Sequence, residues 1–562
     1  MIGMSKVVSN LLSICFLLVN IHADMFSQCN YFAHAIFTAK DSLRGALRPE
    51  RTCYDVKFYD IHLALNLSDS TINGYNDIHF ELNNQQSTSL QLDLFSNLTI
   101  DKVEYKNEKL NYVRVGDAFF VEIVPMMHEA KDGAIRVSYH GKPIIAKNAP
   151  WDGGFVWANQ NGNPWVGLAC EGIGASCWLP IKDHLSDEPD SVSLRLTIPD
   201  SLTCVSNGTL KDELLLPNHQ KTFHWFVSYP INTYNITINV GKYAHFSDTY
   251  VASDKSSLQL DYYVLPDNLD KAKNHFRQVE KVLSCYEKYF GKYPFWRDGY
   301  ALVETPYLGM EHQGAIAYGN GYQRGYLGVR IPDDMDFDFI IVHETGHEYF
   351  GNALSCKDHA EMWLHEAFTT YMESLFVEYT MSKDDAIRYI NFQRQFIANK
   401  TPMLAPLNVN FNNWEDSDIY YKGTLMLNTL RHIIDNDDKW FDLLKSFYNH
   451  YAIGFATTQD FVMFAQKYTS VDLSKFFDQY LTCTQIPTLE YQIETKRRET
   501  TLKYKWVNVL PDFAMPFDIK IKGKKERIFP TTNYQTLSVR KANETDFEFL
   551  KDHFFINLSQ IQ

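Results

Sequence analysis

Two histidines and a glutamate form a pattern that could hold a metal ion. His343 and His347 are four residues apart, and Glu344 directly follows the first of them. Because residues four apart on an α-helix lie on the same face about one turn apart, both imidazoles can bind one zinc ion. The Glu344 carboxylate is then angled toward a water on the metal rather than toward the metal itself. This spacing predicts a zinc site with a glutamate placed as a general base.

A second glutamate downstream is a candidate third ligand. Glu366 comes 19 residues after His347, which leaves room for a turn and for the start of another helix. Two neutral imidazoles and one carboxylate leave a fourth coordination position open for water, as in catalytic zinc sites. The alternative is a helix surface that carries two histidines by chance. The acids and the apolar stripe of residues 336–342 favour a true helix start, and Gly351 and Asn352 predict the helix end.

The order of sequence patterns predicts β-rich, then helical, then β-rich structure. Between residues 50 and 245, apolar and polar residues alternate with period two, as in 59–67 and 191–198. Asn73-Gly74 and Asn207-Gly208 are predicted to be turns between strands. From about 268 to 485 the spacing becomes helical, and the typical stretches are 270–289, 441–451 and 458–466. Beyond residue 486 the strand pattern returns, as in 501–506, with enough length for one small β-sandwich.

Length and charge limit the class of protein. A chain of 562 residues is long for one domain, and 45% hydrophobic with 22% charged residues is ordinary for a soluble protein. The formal net charge of −15 argues against a nucleic-acid partner, which would need a basic face. We therefore expect several folded domains and no nucleic-acid binding.

The N-terminus is typical of an export signal. Lys6 supplies positive charge, residues 11–19 form a short apolar run, and cleavage is expected after Ala23. The alternative is an uncleaved anchor. No later segment has the roughly 20 apolar residues that a membrane span needs, so no span is expected in the mature chain. We expect a secreted or periplasmic protein. Removal of Cys15 leaves eight cysteines, an even number that permits disulfides whose pairing stays open.

The metal motif and its surroundings resemble the gluzincin aminopeptidase family that contains aminopeptidase N and leukotriene hydrolase. The family pattern reads HExxH, then W-F-G-N, then W-L-N-E-G-F. This sequence has Tyr349-Phe350-Gly351-Asn352 for the second element and Trp363-Leu364-His365-Glu366-Ala367-Phe368 for the third. His365 replaces the family's Asn and Ala367 its Gly, and neither replacement changes a metal ligand.

The resemblance implies an α+β multidomain fold. After a signal peptide at 1–23, it implies an N-terminal β-sandwich-like domain at 24–245 and a thermolysin-like, mainly α zinc catalytic domain at 246–485. A small C-terminal β-sandwich is expected at 486–562. The large helical domain that many family members add is not expected in this chain. Because that domain helps to enclose the active site, we expect a more open cleft.

The resemblance also implies how a substrate is bound. A buried α-ammonium group needs carboxylates around it. Glu311, in a segment similar to the family's Gly-Ala-Met-Glu-Asn, is the first candidate for binding the amine. The backbone of Gly309 and Met310 is expected to form an edge that pairs with the bound peptide. Glu171, upstream of a stretch that loosely resembles the family's Phe-Pro-Cys-x-Asp-Glu-Pro, is the second amine-binding candidate.

A tyrosine completes the predicted site. Tyr420 stands in a segment similar to the family's Tyr-x-Lys-Gly, whose tyrosine donates a hydrogen bond to the oxyanion. Tyr421 is the competing candidate, but the spacing to Lys422 favours Tyr420.

These residues imply a zinc-dependent aminopeptidase with one Zn²⁺ per chain. Its expected substrates are peptides with a free N-terminus, which metal-activated water would cleave with Glu344 as the general base. Three alternatives stay open: a lipid epoxide hydrolase that uses the same site, a catalytically inactive binding module, and an endopeptidase. The sequence does not predict the preferred N-terminal residue, the oligomeric state or the disulfide pairing.

Overall fold

The computed structural model of the chain describes residues 31–84, 86–130, 132–411, 416–497 and 499–561. The predicted signal peptide at 1–23 lies outside these residues, so it stays a prediction. In the described part, no helix is both long enough and apolar enough to span a membrane.

The first half of the chain is mostly β-structure. Its strands are β1 Tyr54–Asn66, β2 Thr71–Leu82, β3 Ser89–Asp93, β4 Leu98–Tyr105, β5 Glu108–Lys109, β6 Tyr112–Val115, β7 Ala118–Glu122, β8 Asp132–Gly141, β9 Gly154–Gln160, β10 Asn163–Ala169, β11 Ser191–Pro199, β12 Thr203–Val205, β13 Thr209–Leu216, β14 Gln220–Val227 and β15 Asn239–Gly241. Three short α-helices accompany them in the described residues: α1 Ala39–Gly45, α2 Pro49–Thr52 and α3 Pro125–Ala130.

Three sheets form from these strands. The largest has the order β13-β14-β11-β1-β2-β8-β4-β5, and the smaller two have the orders β12-β15-β10-β9 and β3-β7-β6. In β1 the apolar side chains of Ile61, Leu63 and Leu65 are buried, as the period-two pattern predicts. Strand β1 pairs in parallel with β11 and antiparallel with β2.

One predicted turn is wrong. Asn73 and Gly74 lie inside β2, and the chain reverses just before it, between β1 and β2. The backbone of β1 approaches closely there, because a Cβ placed on Gly74 would lie 1.9 Å from the His62 carbonyl oxygen. Asn-Gly therefore marks a tight strand contact rather than a reversal at this position. Asn207-Gly208, in contrast, does connect two strands, β12 and β13.

A five-stranded sheet leads from the β-rich half into the helical part. Its strands are β16 Ala244–Val251, β17 Ser257–Val264, β18 Tyr300–Glu304, β19 Gly309–Met310 and β20 Ile316–Tyr318, in the order β16-β17-β18-β20-β19. Strand β19 is therefore an edge strand. The predicted division after residue 245 falls within β16, so that boundary stays a prediction.

The helical part contains nine α-helices in the described residues. They are α4 Leu269–His275, α5 Gln278–Tyr289, α6 Phe339–His347, α7 Trp363–Thr380, α8 Lys383–Gln393, α9 Asp418–Ile434, α10 Asp437–Tyr451, α11 Thr458–Gln466 and α12 Ser474–Thr482. The stretch 270–289, predicted as one helical segment, is two helices. Two short strands, β21 Leu354–Cys356 and β22 Gly454–Ala456, pair beside them.

The C-terminal part returns to β-structure. Its strands are β23 Thr488–Lys496, β24 Glu499–Val507, β25 Phe517–Ile521, β26 Lys524–Ile528, β27 Gln535–Arg540, β28 Phe547–Phe549 and β29 Asn557–Gln560. They form one sheet of order β27-β24-β23-β29 and another of order β26-β25-β28. The β, α, β order of the multidomain chain follows the predicted order of sequence patterns.

Candidate active site

Helix α6 carries the two histidines. Its N-cap is Asp338, whose side chain accepts a hydrogen bond from the Ile341 N–H at 3.3 Å, as the early acids predict. The helix ends at His347, earlier than Gly351 and Asn352 predict. The chain turns at once so that the Phe350 carbonyl oxygen comes within 3.0 Å of His347 Nδ1. The early ending thus contributes to the orientation of that imidazole.

The three predicted metal ligands converge. His343 Nε2 and His347 Nε2 lie 3.1 Å apart, and Glu366 Oε2, from the first turn of α7, lies 3.5 Å from the former and 3.3 Å from the latter. All three side chains are buried. Among the described residues, Glu366 Oε2 has no hydrogen-bond partner.

These atoms fit a zinc ion. Tetrahedral zinc with bonds of 2.0–2.1 Å places its ligand atoms about 3.3 Å apart. The other ring nitrogens of both histidines face oxygen acceptors, so the protons lie on Nδ1 and the Nε2 lone pairs face each other. The two Nε2 lone pairs and the carboxylate oxygen lie close together in a buried site, where they repel each other unless a cation neutralises them. His343, His347 and Glu366 are therefore the residues that would hold zinc.

A carboxylate that the sequence analysis missed orients the first histidine. Glu373 Oε1 accepts a hydrogen bond from His343 Nδ1 at 2.7 Å, and Glu373 is completely buried in α7. Its other oxygen accepts from the hydroxyl of Tyr389 at 2.5 Å and from the amide of Gln393 at 3.2 Å. Such partners set the ring orientation and raise the basicity of a metal ligand. The sequence contains a signal that could have identified Glu373. It follows Glu366 by seven residues, which is two helical turns on the same face.

The edge strand β19 lies against the predicted general base. A Cβ placed on Gly309 would lie 2.9 Å from Glu344 Oε1 and 2.8 Å from Ile340 Cγ2. A larger residue at 309 would require the Ile340 or Glu344 side chain to shift, so glycine favours this close approach of the strand to α6. Gly309 and Met310 pair with β20 on one side only, which leaves the other backbone edge of β19 outside the sheet. Burial raises the pKa of Glu344 to about 7.

Glu311 follows the edge strand and points into the same site. Its carboxylate lies within 4.8 Å of those ligand atoms of Glu344 and His347 that face it. Tyr234 donates its hydroxyl hydrogen to Glu311 Oε1 at 3.1 Å. The side chain is buried, and this burial raises its pKa.

Glu171 reaches the site from the β-rich half of the chain. It follows β10 and lines the same cavity as Glu311 and Glu344. Its Oε1 is buried without a hydrogen-bond partner among the described residues. Burial, followed by the nearby Glu311 carboxylate, raises the pKa of Glu171 well above its ordinary value. The fold brings Glu171 to the same cavity as the other predicted residues.

Tyr420 lies in the first turn of α9, with its ring centroid 6.0 Å from that of His343. Two neighbours position it. Lys422 is buried and donates from Nζ to the Cys483 carbonyl oxygen at 2.8 Å. A Cβ on Gly423 would lie 2.3 Å from Ala367 Cβ, so glycine lets α9 pack closely on α7. Tyr421 also lines the cavity.

The predicted residues surround one cavity of about 420 Å³. It also borders Trp151, Tyr326, Arg330, Phe339 and Asp416, which the sequence analysis did not single out. No local sequence signal marks these five residues, because they come from loops and helix ends that only the fold brings together. A site of this size holds a ligand of a few residues.

Comparison with known proteins agrees with this architecture. The profile of the peptidase family M1 domain matches residues 275–480. Aminopeptidase N of Escherichia coli is 23% identical over 375 residues, which cover 62% of this chain and 42% of that protein. Probable aminopeptidase 2 of Sulfurisphaera tokodaii is 21% identical over 489 residues, which cover 83% of this chain and 59% of that protein. The matched part of the chain thus spans about half the length of these relatives.

A solved structure shares the fold. The M1 zinc metallopeptidase of Deinococcus radiodurans superposes with a TM-score of 0.63 at 19% sequence identity, covering 78% of this chain and 96% of that one. The matched profile spans helix α6 with both histidines, the start of α7 with Glu366, and the start of α9 with Tyr420. The predicted resemblance is confirmed, because residues 275–480 match the peptidase family M1 domain and the chain is similar to aminopeptidase N.

Proposed function

We propose that this protein is a zinc-dependent aminopeptidase that removes N-terminal residues from peptides. One observation carries the proposal: the carboxylates of Glu311 and Glu344 and the imidazole of His347 lie within 4.8 Å of one another, beside the metal ligands. A carboxylate that binds the substrate amine this close to the metal would place the first peptide bond, and no later one, beside it.

The residues of the site take the following roles in this proposal. Zinc, one ion per chain held by His343, His347 and Glu366, would polarise the scissile carbonyl and activate water. Glu344 accepts a proton from the attacking water and delivers it to the leaving amine. Tyr420 donates its hydroxyl hydrogen to the carbonyl oxygen as negative charge develops there.

Two carboxylates recognise the free N-terminus. Glu311 and Glu171 both line the cavity, and burial raises the pKa of each. A bound α-ammonium would return these groups to their charged form and form charge-assisted hydrogen bonds with them. The backbone edge of Gly309 and Met310 would pair with the substrate as an added strand.

The names of the relatives support this reading. A variant of the Deinococcus radiodurans enzyme is described as bound to a Tyr-Ser-Ala substrate. Further two-domain M1 variants are described as bound to L-tryptophan and to L-arginine. Free amino acids are what an aminopeptidase releases.

A panel of aminoacyl-coumarin amides tests the proposal. We expect the purified protein to cleave several of them, to lose this activity in a chelator and to regain it with Zn²⁺. N-acetylated counterparts should be resistant, because they lack the ammonium group. Activity that survives metal removal, or equal cleavage of blocked substrates, would contradict the proposal. A lipid epoxide serves as the comparison substrate for the alternative activity, which the relatives do not favour.

We propose further that the protein is exported, with residues 1–23 as the signal peptide. Cys483 is disulfide-bonded, which supports an oxidising compartment, although six other described cysteines are free thiols. N-terminal sequencing of the protein isolated from its host tests this, because a mature chain that begins near Asp24 is the expected result. The domain division at 24–245, 246–485 and 486–562 belongs to the same proposal.

A further inference from the structure

The candidate cavity has opposite charges at its two ends. Glu171 and Glu311, the proposed amine-binding carboxylates, belong to its acidic end. In the described part of the chain, Arg330 is the only lysine or arginine that lines the cavity. A zwitterionic ligand, with an ammonium group at one end and an anion at the other, matches this arrangement.

The two ends have different neighbours among the metal ligands. Glu311 is on the His347 side, within the 4.8 Å cluster that also contains Glu344. The His343 ring instead stacks on Phe339, with the centroids 5.0 Å apart.

Arg330 is linked to Phe339 through the ring of Tyr326. The rings of Phe339 and Tyr326 are 5.7 Å apart, and Arg330 Cζ lies 4.7 Å from the Tyr326 centroid. A peptide whose amine is at Glu311 would therefore extend past His343 toward Arg330.

The Arg330 side chain is positioned rather than free on the surface. It lies between Tyr326 and Phe396, with Cζ 4.7 Å and 5.8 Å from their ring centroids. The residue has a φ of 62°, which is uncommon for a residue other than glycine. A strained residue held in place by its surroundings is often functional.

The loop before Arg330 is anchored by two side chains. Asn320 donates from Nδ2 to the carbonyl oxygens of Gln323 and Gly325, each at 2.8 Å. Arg324 donates to the Pro332 carbonyl oxygen at 2.7 Å. Among the described residues, Arg330 has no carboxylate within ion-pair distance, so its charge is available to a ligand.

We propose that Arg330 binds the carboxylate of a short peptide substrate, namely the C-terminal α-carboxylate of a peptide of two to four residues. The proposal rests on the proposed aminopeptidase function and names its substrate class. Successive contacts of 5.0, 5.7 and 4.7 Å link the His343 ring to the Arg330 guanidinium. Extended peptides span about 3.3–3.6 Å per residue, so a few residues suffice to cover this separation. The planar guanidinium can form two parallel hydrogen bonds with a carboxylate.

Asp416 also borders the cavity and would repel an anion. Its carboxylate oxygens are occupied, because one accepts from the Asp418 N–H at 3.0 Å and the other from Thr401 Oγ1 at 3.3 Å. Asp416 is not within ion-pair distance of Arg330 and therefore does not neutralise it.

Trialanine and its C-terminal amide test the proposal. For the wild-type chain we expect kcat/KM to be at least about tenfold higher for the free acid, as a charged hydrogen bond would produce. Arg330→Gln should lower this acid-to-amide ratio to about one, whereas Arg330→Lys should keep an intermediate ratio. Because the ratio compares two substrates on one enzyme, a general loss of folding does not mimic this result.

Arg277→Gln is the matched control. Arg277 is exposed and lies outside the cavity, so this variant should keep the wild-type ratio. A ratio of one in the wild type, or an unchanged ratio in Arg330→Gln, would overturn the proposal. A peptide amide with an internal aspartate tests whether Arg330 binds a side-chain carboxylate instead. If only its cleavage depends on Arg330, the side-chain carboxylate is the ligand, and the α-carboxylate assignment is wrong.

Failure of the proposed function can be told apart from failure of this inference. An alanyl-coumarin amide has no carboxylate, so its cleavage reports on the aminopeptidase activity alone. Calorimetric titration of a Glu344→Gln background with the acid and the amide of trialanine measures the preference without turnover. A Kd ratio of about ten that disappears with Arg330→Gln supports the assignment, and equal Kd values refute it.

Discussion

Asn352 donates a hydrogen bond from Nδ2 to the backbone carbonyl oxygen of Glu311 at 2.8 Å. Glu348 makes a second link, because its Oε1 accepts from the Gly314 N–H at 2.9 Å. Both residues follow His347 closely, so the segment after the metal helix is tied to the segment that carries the proposed amine anchor. The distance from amine to metal is therefore set by short backbone contacts. In an exopeptidase, the distance from the amine-binding group to the metal determines which peptide bond lies beside the metal.

Loss of the Glu311 carboxylate should weaken binding of the substrate amine. We expect Glu311→Ala to raise KM for free-amine substrates by about tenfold or more, because a charge-assisted hydrogen bond in a buried site is lost. Michaelis–Menten kinetics on an aminoacyl-coumarin series measures this. An unchanged KM would remove Glu311 from the amine site.

Glu344→Gln should separate catalysis from metal binding. Glutamine cannot accept the proton from water, so we expect kcat to fall by at least about a hundredfold. The variant should still contain zinc, since Glu344 is not one of the three converging ligands. Metal analysis beside steady-state kinetics checks both points, with Glu280→Gln on the exposed face of α5 as the control. Comparable activity in Glu344→Gln would show that another group is the base.

Tyr420 and Tyr421 are adjacent, so their phenylalanine variants form a matched pair. We expect Tyr420→Phe to lower kcat by about a hundredfold with little change in KM, because one oxyanion donor is lost. Tyr421→Phe should lower kcat much less, since that hydroxyl is assigned no part in the chemistry. Kinetics of both variants on one coumarin substrate decides between them. The reverse order would transfer the role to Tyr421.

The Glu373 carboxylate should influence metal affinity without contacting the metal. Its bond to His343 Nδ1 is 2.7 Å long, and a neutral amide in its place holds the imidazole less strongly. We expect Glu373→Gln to weaken zinc binding by about 10- to 100-fold. Competition with a chelator of known affinity measures this. Equal affinities for variant and wild type would limit Glu373 to a structural role.

A buried glutamate away from the metal should make stability depend on pH. Burial raises the pKa of Glu361 from an ordinary 4.5 to about 7. Between these values the unfolded chain has lost the proton that the folded chain still holds. The protonated Glu361 carboxyl group therefore contributes fully to the free energy of unfolding below pH 4.5. This contribution is lost as the pH rises through 7.

Glu361→Gln removes this dependence. The amide stays neutral, and its oxygen can still accept from the Thr458 N–H, which lies 2.7 Å from Glu361 Oε1. At pH 8 we expect the variant to be the more stable chain, by at most about 3 kcal/mol. Denaturant unfolding of both chains at pH 5 and pH 8 measures the difference. A difference that does not change with pH would contradict the prediction.

Local spacing was sufficient to predict that the two histidines lie together. His343 and His347 share a helix, where four-residue spacing alone places them together, and the resemblance to known motifs marked Glu366 and Tyr420. Glu373 could have been predicted from its seven-residue spacing on the same helix as Glu366. The turn predicted at Asn73-Gly74 failed because the same dipeptide also suits a close strand contact, which only the pairing with β1 reveals.

The sequence by itself determined the helix that presents two imidazoles, the glutamate beside the first of them, and the β, α, β order of the chain. These features depend on periodicities within a few turns or a few strand residues. Only the tertiary structure decided that Glu171, Glu311, Arg330 and Tyr420 border one cavity. They come from separate segments, and which segments meet depends on sheet order and helix packing between distant parts of the chain. The acidic and basic ends of the site are therefore a property of the fold.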